Sequence, residues 1–477
     1  MRAARPLLRS AAAGAALTLA LTACSTDGDP APTATGTTPP TSAATASTTA
    51  SASTAPAATP TATATFGASP VERQLAWMVG QMNGDAVESD VSKRFASSFL
   101  DVVPPAQWLV MLGQLRAQGP WVVESVEAQG PQGAAVVVGA GQRFRLTMSL
   151  DSDGRIGGAL LKGTARGQTA TDWAGVAQRA KFAAPQVSIL AADIAPDGTA
   201  TVLHRAGDQG LRPLGSMFKL YVLAAVADEV AAGKLTWDRQ LTLTAADKTL
   251  PSGTLQDDAD GAKVTVGDAA KLMISISDNT ATDLLIRTVG EPQVRAAATR
   301  AGHRHPEGIT PFLTAKQMFW LGYDTSAAAQ AARSQWKDAD AARRRELLAT
   351  VPMPGPGPKE AGTGAPQWQN GIEWFATPQE ILDVHLYLDA LAARPAGAPL
   401  REILTTNGGI EVPGWSSQAF KGGSDVGVIA LSFLAPLAKP TKSANRQALI
   451  MIGTSDQAVD EDTFVAAAQD AAQLMTK

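Results

Sequence analysis

The run Leu220-Tyr221-Val222-Leu223-Ala224-Ala225-Val226 is apolar at every position. A helix that is hydrophobic on all sides has no face left for water and must be wrapped by other elements. The rest of the chain therefore has to build a core around this run. Directly before it stands Gly215-Ser216-Met217-Phe218-Lys219. Positions i and i+3 share a helix face, which puts the Ser216 hydroxyl within hydrogen-bond reach of the Lys219 amine. A serine hydroxyl is a poor nucleophile at neutral pH and needs a partner to take its proton. A lysine serves when burial or a like charge lowers its pKa. Taken alone, Ser-x-x-Lys is common and reads equally as a capping serine beside a solvated lysine.

At 477 residues the chain exceeds what one core organises, so two folded units plus tails are expected. Its net charge of −4 and its lack of any basic run argue against nucleic acid as a partner. The amino terminus reads as an export signal over residues 1–24. Arg2, Arg5 and Arg9 form a cationic start, Ala11 to Ala20 a short apolar core, and Leu21-Thr22-Ala23-Cys24 a small-residue end. That core is too short to span a bilayer as a permanent helix. Cys24 is the only cysteine, so no internal disulfide exists. Its placement resembles the lipobox of bacterial lipoproteins, which implies lipidation at Cys24 and a membrane anchor on the outer face. Residues 25–68 are dominated by Ser, Thr, Ala, Pro and Gly, with no Lys or Arg. Such a segment buries too little to offset its ordering entropy and reads as a disordered tether.

Two folded units follow. In residues 69–165, Leu75, Trp77, Met78 and Met82 mark a helix, further helices are expected near Phe99 and Leu112, and strands over 122–126, 134–138, 144–148 and 156–161 follow, the last two joined at Asp153-Gly154. Helices first and an antiparallel sheet after give an α+β order, compatible with a small cone-shaped fold of the nuclear-transport-factor or ketosteroid-isomerase type. In residues 166–477, strand candidates lie at both ends (187–194, 201–204, 426–434, 448–452), with helices between. One α/β sheet assembled from distant parts of the chain, beside an all-helical lobe, is the expectation. Residues 322–370, with an alanine-rich charged helix and then Met353-Pro354-Gly355-Pro356-Gly357-Pro358, are expected to be a surface excursion or lid.

Ser216-Met217-Phe218-Lys219, then Ser277-Asp278-Asn279, then Lys421-Gly422-Gly423, in this order and separation, resemble the three-motif signature of the serine β-lactamase and penicillin-binding protein superfamily. The loop Pro251 to Gln256 and the stretch Ser277 to Leu285 look most like its class A branch. The layout as a whole is similar to a two-domain β-lactamase-like family of clavulanic acid gene clusters and related actinobacterial lipoproteins. The resemblance implies a class A-like fold behind a ketosteroid-isomerase-like unit, with no cofactor. It also implies roles: Ser216 as nucleophile and Lys219 as base, its pKa depressed by Lys421; Ser277 passing a proton to the leaving group; Asn279 holding a substrate amide. Gly422, Gly423 and Ser424 would line the substrate, with the Ser216 and Ser424 N–H groups as oxyanion hole.

Two departures from that pattern stand out. No Glu-x-x-Leu-Asn loop follows the second motif, and neither Glu307 nor Glu373 has its surroundings, so slow deacylation is expected. Gly422 replaces a threonine that helps hold a substrate carboxylate. The four histidines are too dispersed for a metal site; His303 and His305 are expected to be solvated in a loop. The combined expectation is an exported serine hydrolase acting on a β-lactam-like amide or an ester. A D-alanyl peptidase or transpeptidase acting on peptidoglycan peptides and a non-catalytic envelope binding protein are the alternatives.

Overall fold

The computed structural model describes residues 64–84, 88–100, 103–116, 119–139, 142–165, 168–358 and 361–477. Cys24, the residues read as an export signal and the expected tether up to residue 63 lie outside them. The chain divides into two compact units between Gly163 and Thr164.

The first unit opens with α1 (Pro70–Asn83). Ser69 caps it through a reciprocal pair: its Oγ accepts from Glu72 N at 3.3 Å, and its own N–H donates to the Glu72 carboxylate at 3.0 Å. Pro70 sits where a helix needs no N–H. Val71, Leu75, Met78 and Met82 form the buried stripe. Then come α2 (Glu88–Arg94), α3 (Ser97–Leu100) and α4 (Pro105–Arg116), followed by β1 (Val122–Gln129), β2 (Gln132–Gly139), β3 (Gln142–Leu150) and β4 (Ile156–Gly163). The four strands form an antiparallel meander in chain order. Ala135 and Val137 on β2, with Leu146 and Met148 on β3, face the helices. The expected α+β order holds, with strands two to four residues longer than the apolar runs. Asp153-Gly154 turns β3 into β4, with Gly154 at φ 75°.

The second unit begins with α5 (Trp173–Ala183), β5 (Gln186–Ile194), β6 (Ala200–Gly207) and the two-residue β7 (Arg212–Pro213). After a 3₁₀ turn at Gly215–Phe218 comes α6 (Lys219–Ala231), then β8 (Gln240–Thr242), β9 (Lys263–Thr265), α7 (Val266–Ser275), α8 (Asn279–Val289), α9 (Glu291–Arg300), α10 (Ala315–Tyr323), α11 (Ala327–Trp336) and α12 (Ala341–Thr350). The chain closes with β10 (Phe375–Ala376), α13 (Pro378–Ala392), α14 (Pro399–Thr405), β11 (Ala419–Asp425), β12 (Val428–Pro436), β13 (Arg446–Thr454) and α15 (Glu461–Met475).

The main sheet is antiparallel throughout, in the order β11-β12-β13-β5-β6. In this order the first three strands come from the carboxyl end of the unit and the last two from its amino end. One face is covered by α5 and α15, through Val176, Ala180, Phe464 and Ala468. The other faces the helical lobe, whose centre is α6. Every residue of α6 from Lys219 to Ala227 is buried, as a helix apolar on all sides requires. Lys421-Gly422-Gly423-Ser424 lies within β11, and Val426-Gly427 makes the turn into β12 rather than starting it.

The segment 322–370 departs from expectation. It contains two helices rather than one, and these belong to the core. Ala329, Ala332, Trp336, Leu347 and Leu348 join the main cluster, with Trp336 only 1% exposed and its Nε1 donating to Gly371 O at 2.9 Å. The alanines that read as a solvated helix are there because small side chains let α11 approach closely. The proline-glycine run is irregular, as expected, and backs onto the Pro251 loop: Leu250 N donates to Pro356 O at 2.9 Å.

Candidate active site

Ser216 sits in the 3₁₀ turn Gly215–Phe218, which runs directly into α6, and is partly exposed. Two anchors hold that turn from behind. Leu214 N donates to Trp374 O at 2.9 Å, and the Phe218 ring stacks on Trp374 with centroids 3.6 Å apart. Trp374 is thus a core residue under the nucleophile turn, its own Nε1 bonded to Leu313 O at 3.0 Å.

Lys219 has no exposed surface. Its amine donates to Ser277 O at 2.6 Å, Ser277 Oγ at 3.0 Å and Asn279 Oδ1 at 2.7 Å. The direct Ser216–Lys219 hydrogen bond expected from i, i+3 spacing is not made; among the described residues the Ser216 hydroxyl makes no side-chain hydrogen bond. A desolvated amine takes the strongest acceptors in reach, and an amide oxygen, a carbonyl and a hydroxyl from one loop offer three. Burial, and then the like charge of Lys421, push the Lys219 pKa well below 10.5, with Asp283 and Asp278 opposing.

Lys421 donates to the same Ser277 Oγ at 3.0 Å and to Gly422 O at 2.6 Å, and burial pulls its pKa down to about 7. Ser277 Oγ therefore bridges the two lysines. A hydroxyl has one proton and two lone pairs, so it can donate to one amine only when that amine is neutral. Lowered lysine pKa values are what make such a relay workable. Lys421 is held from below: His385 Nε2 donates at 3.0 Å to Ser432 Oγ, which donates to Lys421 O at 2.9 Å. Burial keeps His385 neutral, its pKa lowered to about 4.

The loop bearing Ser277 is strained, since Ser277 is the only non-glycine residue described with positive φ, at 59°. Asp278 secures it. This fully buried carboxylate caps α8 by accepting from Ala281 N at 2.8 Å, and it accepts from Thr254 N at 2.7 Å and Leu255 N at 3.0 Å in the Pro251–Gln256 loop. Asn279 N reaches the same loop at Ser252 O, 2.9 Å. Gly253, at φ 121°, lies so close to Asp278 that an added Cβ would meet its carboxylate carbon at 2.3 Å. Asp278 was not singled out from the sequence, although an Asp immediately before a helix start is a capping signal. Asn279 is 3% exposed with its Oδ1 given to Lys219, so it positions that amine rather than standing open to a substrate amide.

The third motif meets the first through backbone. A Cβ on Gly423 would come within 2.2 Å of Leu214 O and 2.5 Å of Ser216 N, and one on Gly215 (φ 49°) within 2.8 Å of Ser424 N. Only glycine permits this contact, which brings the N–H groups of Ser216 and Ser424 to one place. Glu373, 4% exposed, accepts from Trp374 N at 2.9 Å through Oε2, and its Oε1 is buried without a hydrogen-bond partner. Burial and the neighbouring Asp425 drive its pKa well above the ordinary carboxylate range.

His303 and His305 are not a solvated pair. His303 is buried against the Tyr221 hydroxyl at 3.2 Å, and His305 bonds Glu380 at 2.8 Å, tying α13 to the end of α9. Among the described residues no cluster of His, Cys, Asp or Glu could hold a metal, and no helix is long and apolar enough to cross a membrane.

Residues 171–344, which carry the first two motifs, match the family described as "Beta-lactamase enzyme family". Residues 67–156 match the family described as "ORF 12 gene product N-terminal". No curated protein matches the chain. Among solved structures, a β-lactamase from Sphaerobacter thermophilus is 22% identical over 64% of this chain and 96% of its own, with a TM-score of 0.41. A β-lactamase from Chitinophaga pinensis is 17% identical over 63% and 97%, with a TM-score of 0.43. A mutant of PBP-A, solved as an acyl-enzyme complex with penicillin G, is 14% identical over 63% and 94%, with a TM-score of 0.41. The family match spans the first two motifs, and the structure brings the third against them.

Proposed function

We propose that the protein is a serine hydrolase in which Ser216 attacks the carbonyl of a β-lactam-like amide or an ester and is acylated. The observation that carries this reading is the bridge from Lys219 through Ser277 Oγ to Lys421, 3.0 Å on each side, beside the Ser216 turn. Lys219, once neutral, takes the Ser216 proton as the hydroxyl turns toward it. Ser277, resupplied by Lys421, delivers a proton to the leaving group. The N–H groups of Ser216 and Ser424 receive the developing oxyanion. No residue of this Lys219–Ser277–Lys421 network is placed to activate a deacylating water, which supports slow release of the acyl group.

The same reading has the chain exported and anchored by lipid on Cys24, with residues 25–68 as tether; the pattern of Arg2, Arg5, Arg9, the short apolar core and Cys24 supports it. The first unit, proposed as a ketosteroid-isomerase-like fold, is given no catalytic role. The test is turnover of p-nitrophenyl acetate and nitrocefin by wild type and Ser216→Ala. The reading expects Ser216-dependent release from at least one, with a burst followed by a slower steady state; rates equal in the two proteins contradict it.

A further inference from the structure

Next to the residues that anchor the Ser216 turn, the second unit holds a cavity of about 120 Å³ that the acylation chemistry does not use. Gly371, Glu373 and Phe375 line it, whereas Ile372 and Trp374, between them, belong to the main core. Alternate residues of an extended segment face opposite sides, so the Glu373 side chain lies on the cavity side. Only its Oε2 is bonded, to Trp374 N, and Oε1 is buried with no hydrogen-bond partner among the described residues. Arg344 forms another wall. Its guanidinium lies 5.3 Å over the Trp336 ring and reaches Thr310 O at 3.5 Å through Nη1, and both of those residues line the cavity. Nε bonds Trp336 O at 3.1 Å and Nη2 bonds Lys337 O at 3.4 Å, so each terminal nitrogen keeps an N–H to spare. Every acceptor it has is a carbonyl. Among the described residues neither Glu373 nor Arg344 forms an ion pair, with the other or with a third residue. A buried carboxyl oxygen and a half-buried cation left in this way are costly unless something between them makes the bonds.

We propose that this cavity is a binding site for a small zwitterionic amino acid, whose ammonium donates to Glu373 Oε1 and whose carboxylate accepts the two spare N–H groups of Arg344. A carboxylate matches the fork of a guanidinium, and an ammonium makes charge-assisted bonds to a carboxyl oxygen. The two protein groups stand on separate walls without touching. A ligand carrying both charges satisfies both, while a simple amine or a simple carboxylate satisfies one. Burial and Asp425 raise the Glu373 pKa, and an arriving ammonium offsets both effects. Glu307, exposed where it lines the cavity, draws the ammonium inward. Leu211, Pro311 and Leu313 supply apolar surface, and the volume restricts the ligand to about the size of glycine or alanine. The site is separate from the Lys219–Ser277–Lys421 network, none of whose residues lines it.

A ligand-observed NMR titration of the full chain tests this, with glycine, L-alanine, methylammonium and acetate each read by the relaxation of its own protons. Wild type is expected to bind glycine or L-alanine saturably, with a dissociation constant of about millimolar for so small a ligand, and roughly tenfold or more tighter than methylammonium or acetate. Glu373→Gln and Arg344→Gln should each weaken the amino acid by roughly tenfold or more, because each removes one charged partner. Arg344→Lys keeps the charge but not the fork and should weaken it less than Arg344→Gln. Circular dichroism identifies the variants that fold, and the comparison of the four ligands on wild type needs no variant. No saturable binding of either amino acid to wild type, or binding no tighter than that of methylammonium and acetate, overturns the inference. So does an affinity unchanged in folded Glu373→Gln or Arg344→Gln. None of these results depends on acylation of Ser216, so the hydrolase reading stands or falls separately.

Discussion

Replacing Asp278 by Ala removes the side chain that makes most of the side-chain bonds between the Ser277 turn and the Pro251–Gln256 loop; Ser252 Oγ to Ile276 O, at 3.2 Å, is a further one. Its carboxylate accepts three backbone N–H groups, at 2.8, 2.7 and 3.0 Å, and is fully buried. Bonds to a charged acceptor are worth about 1.5–3 kcal/mol each, and a buried donor left without a partner costs about 1–3 kcal/mol. Because the three share one acceptor and are not additive, the loss should be roughly 3–6 kcal/mol, a large part of a typical domain's stability. Asp278→Asn keeps an acceptor and a good helix cap but no charge, and should lose roughly 1–2 kcal/mol. It should also lower the Lys219 pKa further, because Asp278 is one of the two charges that raise it. Scanning calorimetry reads the stability, and the pH dependence of Ser216 acylation reads the amine. An Ala variant within about 1 kcal/mol of wild type would refute the claim that this carboxylate holds the loop.

Other outcomes follow from the same geometry. Ser277→Gly relieves the positive φ at 59° while deleting the bridging hydroxyl, so acylation should fall by about 10²–10⁴-fold with no loss of thermal stability. Gly423→Ala should abolish acylation and lower the melting temperature, because its Cβ meets backbone at 2.2 and 2.5 Å. Gly422→Ala, whose Cβ meets only the end of the Phe420 ring at 3.0 Å, should be far milder by the same two measurements. Burial lowers the Lys421 pKa to about 7 in the folded chain, so between 7 and the ordinary 10.5 the unfolded chain binds this proton more readily. Stability should therefore rise with pH across that window and be lost as pH falls through 7; Lys421→Met should flatten the slope of melting temperature against pH.

The sequence was most informative where one local rule acts alone. An apolar run buried on every side could only be a central helix, and short apolar runs rich in Val, Ile and Leu placed β5, β12 and β13 to within a few residues. The motifs predicted the meeting of Ser277 with both lysines. What escaped reading was set by tertiary context. Lys219 turns away from Ser216 because Ser277 and Asn279 arrive from sixty residues on with better acceptors. Ala327 to Leu348 reads as a polar helix because its core contacts are small alanines and one tryptophan, which carry little hydrophobic periodicity. Asp278 was visible as a capping residue, but that it also binds the Pro251–Gln256 loop depends on a fold no local pattern encodes.

The most direct measurement is intact mass followed by peptide mapping after a short incubation with an acylating ester or a penicillin. The account predicts an adduct of the acyl mass on the peptide containing Ser216, formed faster as pH rises through the lowered Lys219 pKa and missing in Ser216→Ala. An adduct on another residue, or one that persists in Ser216→Ala, would contradict it.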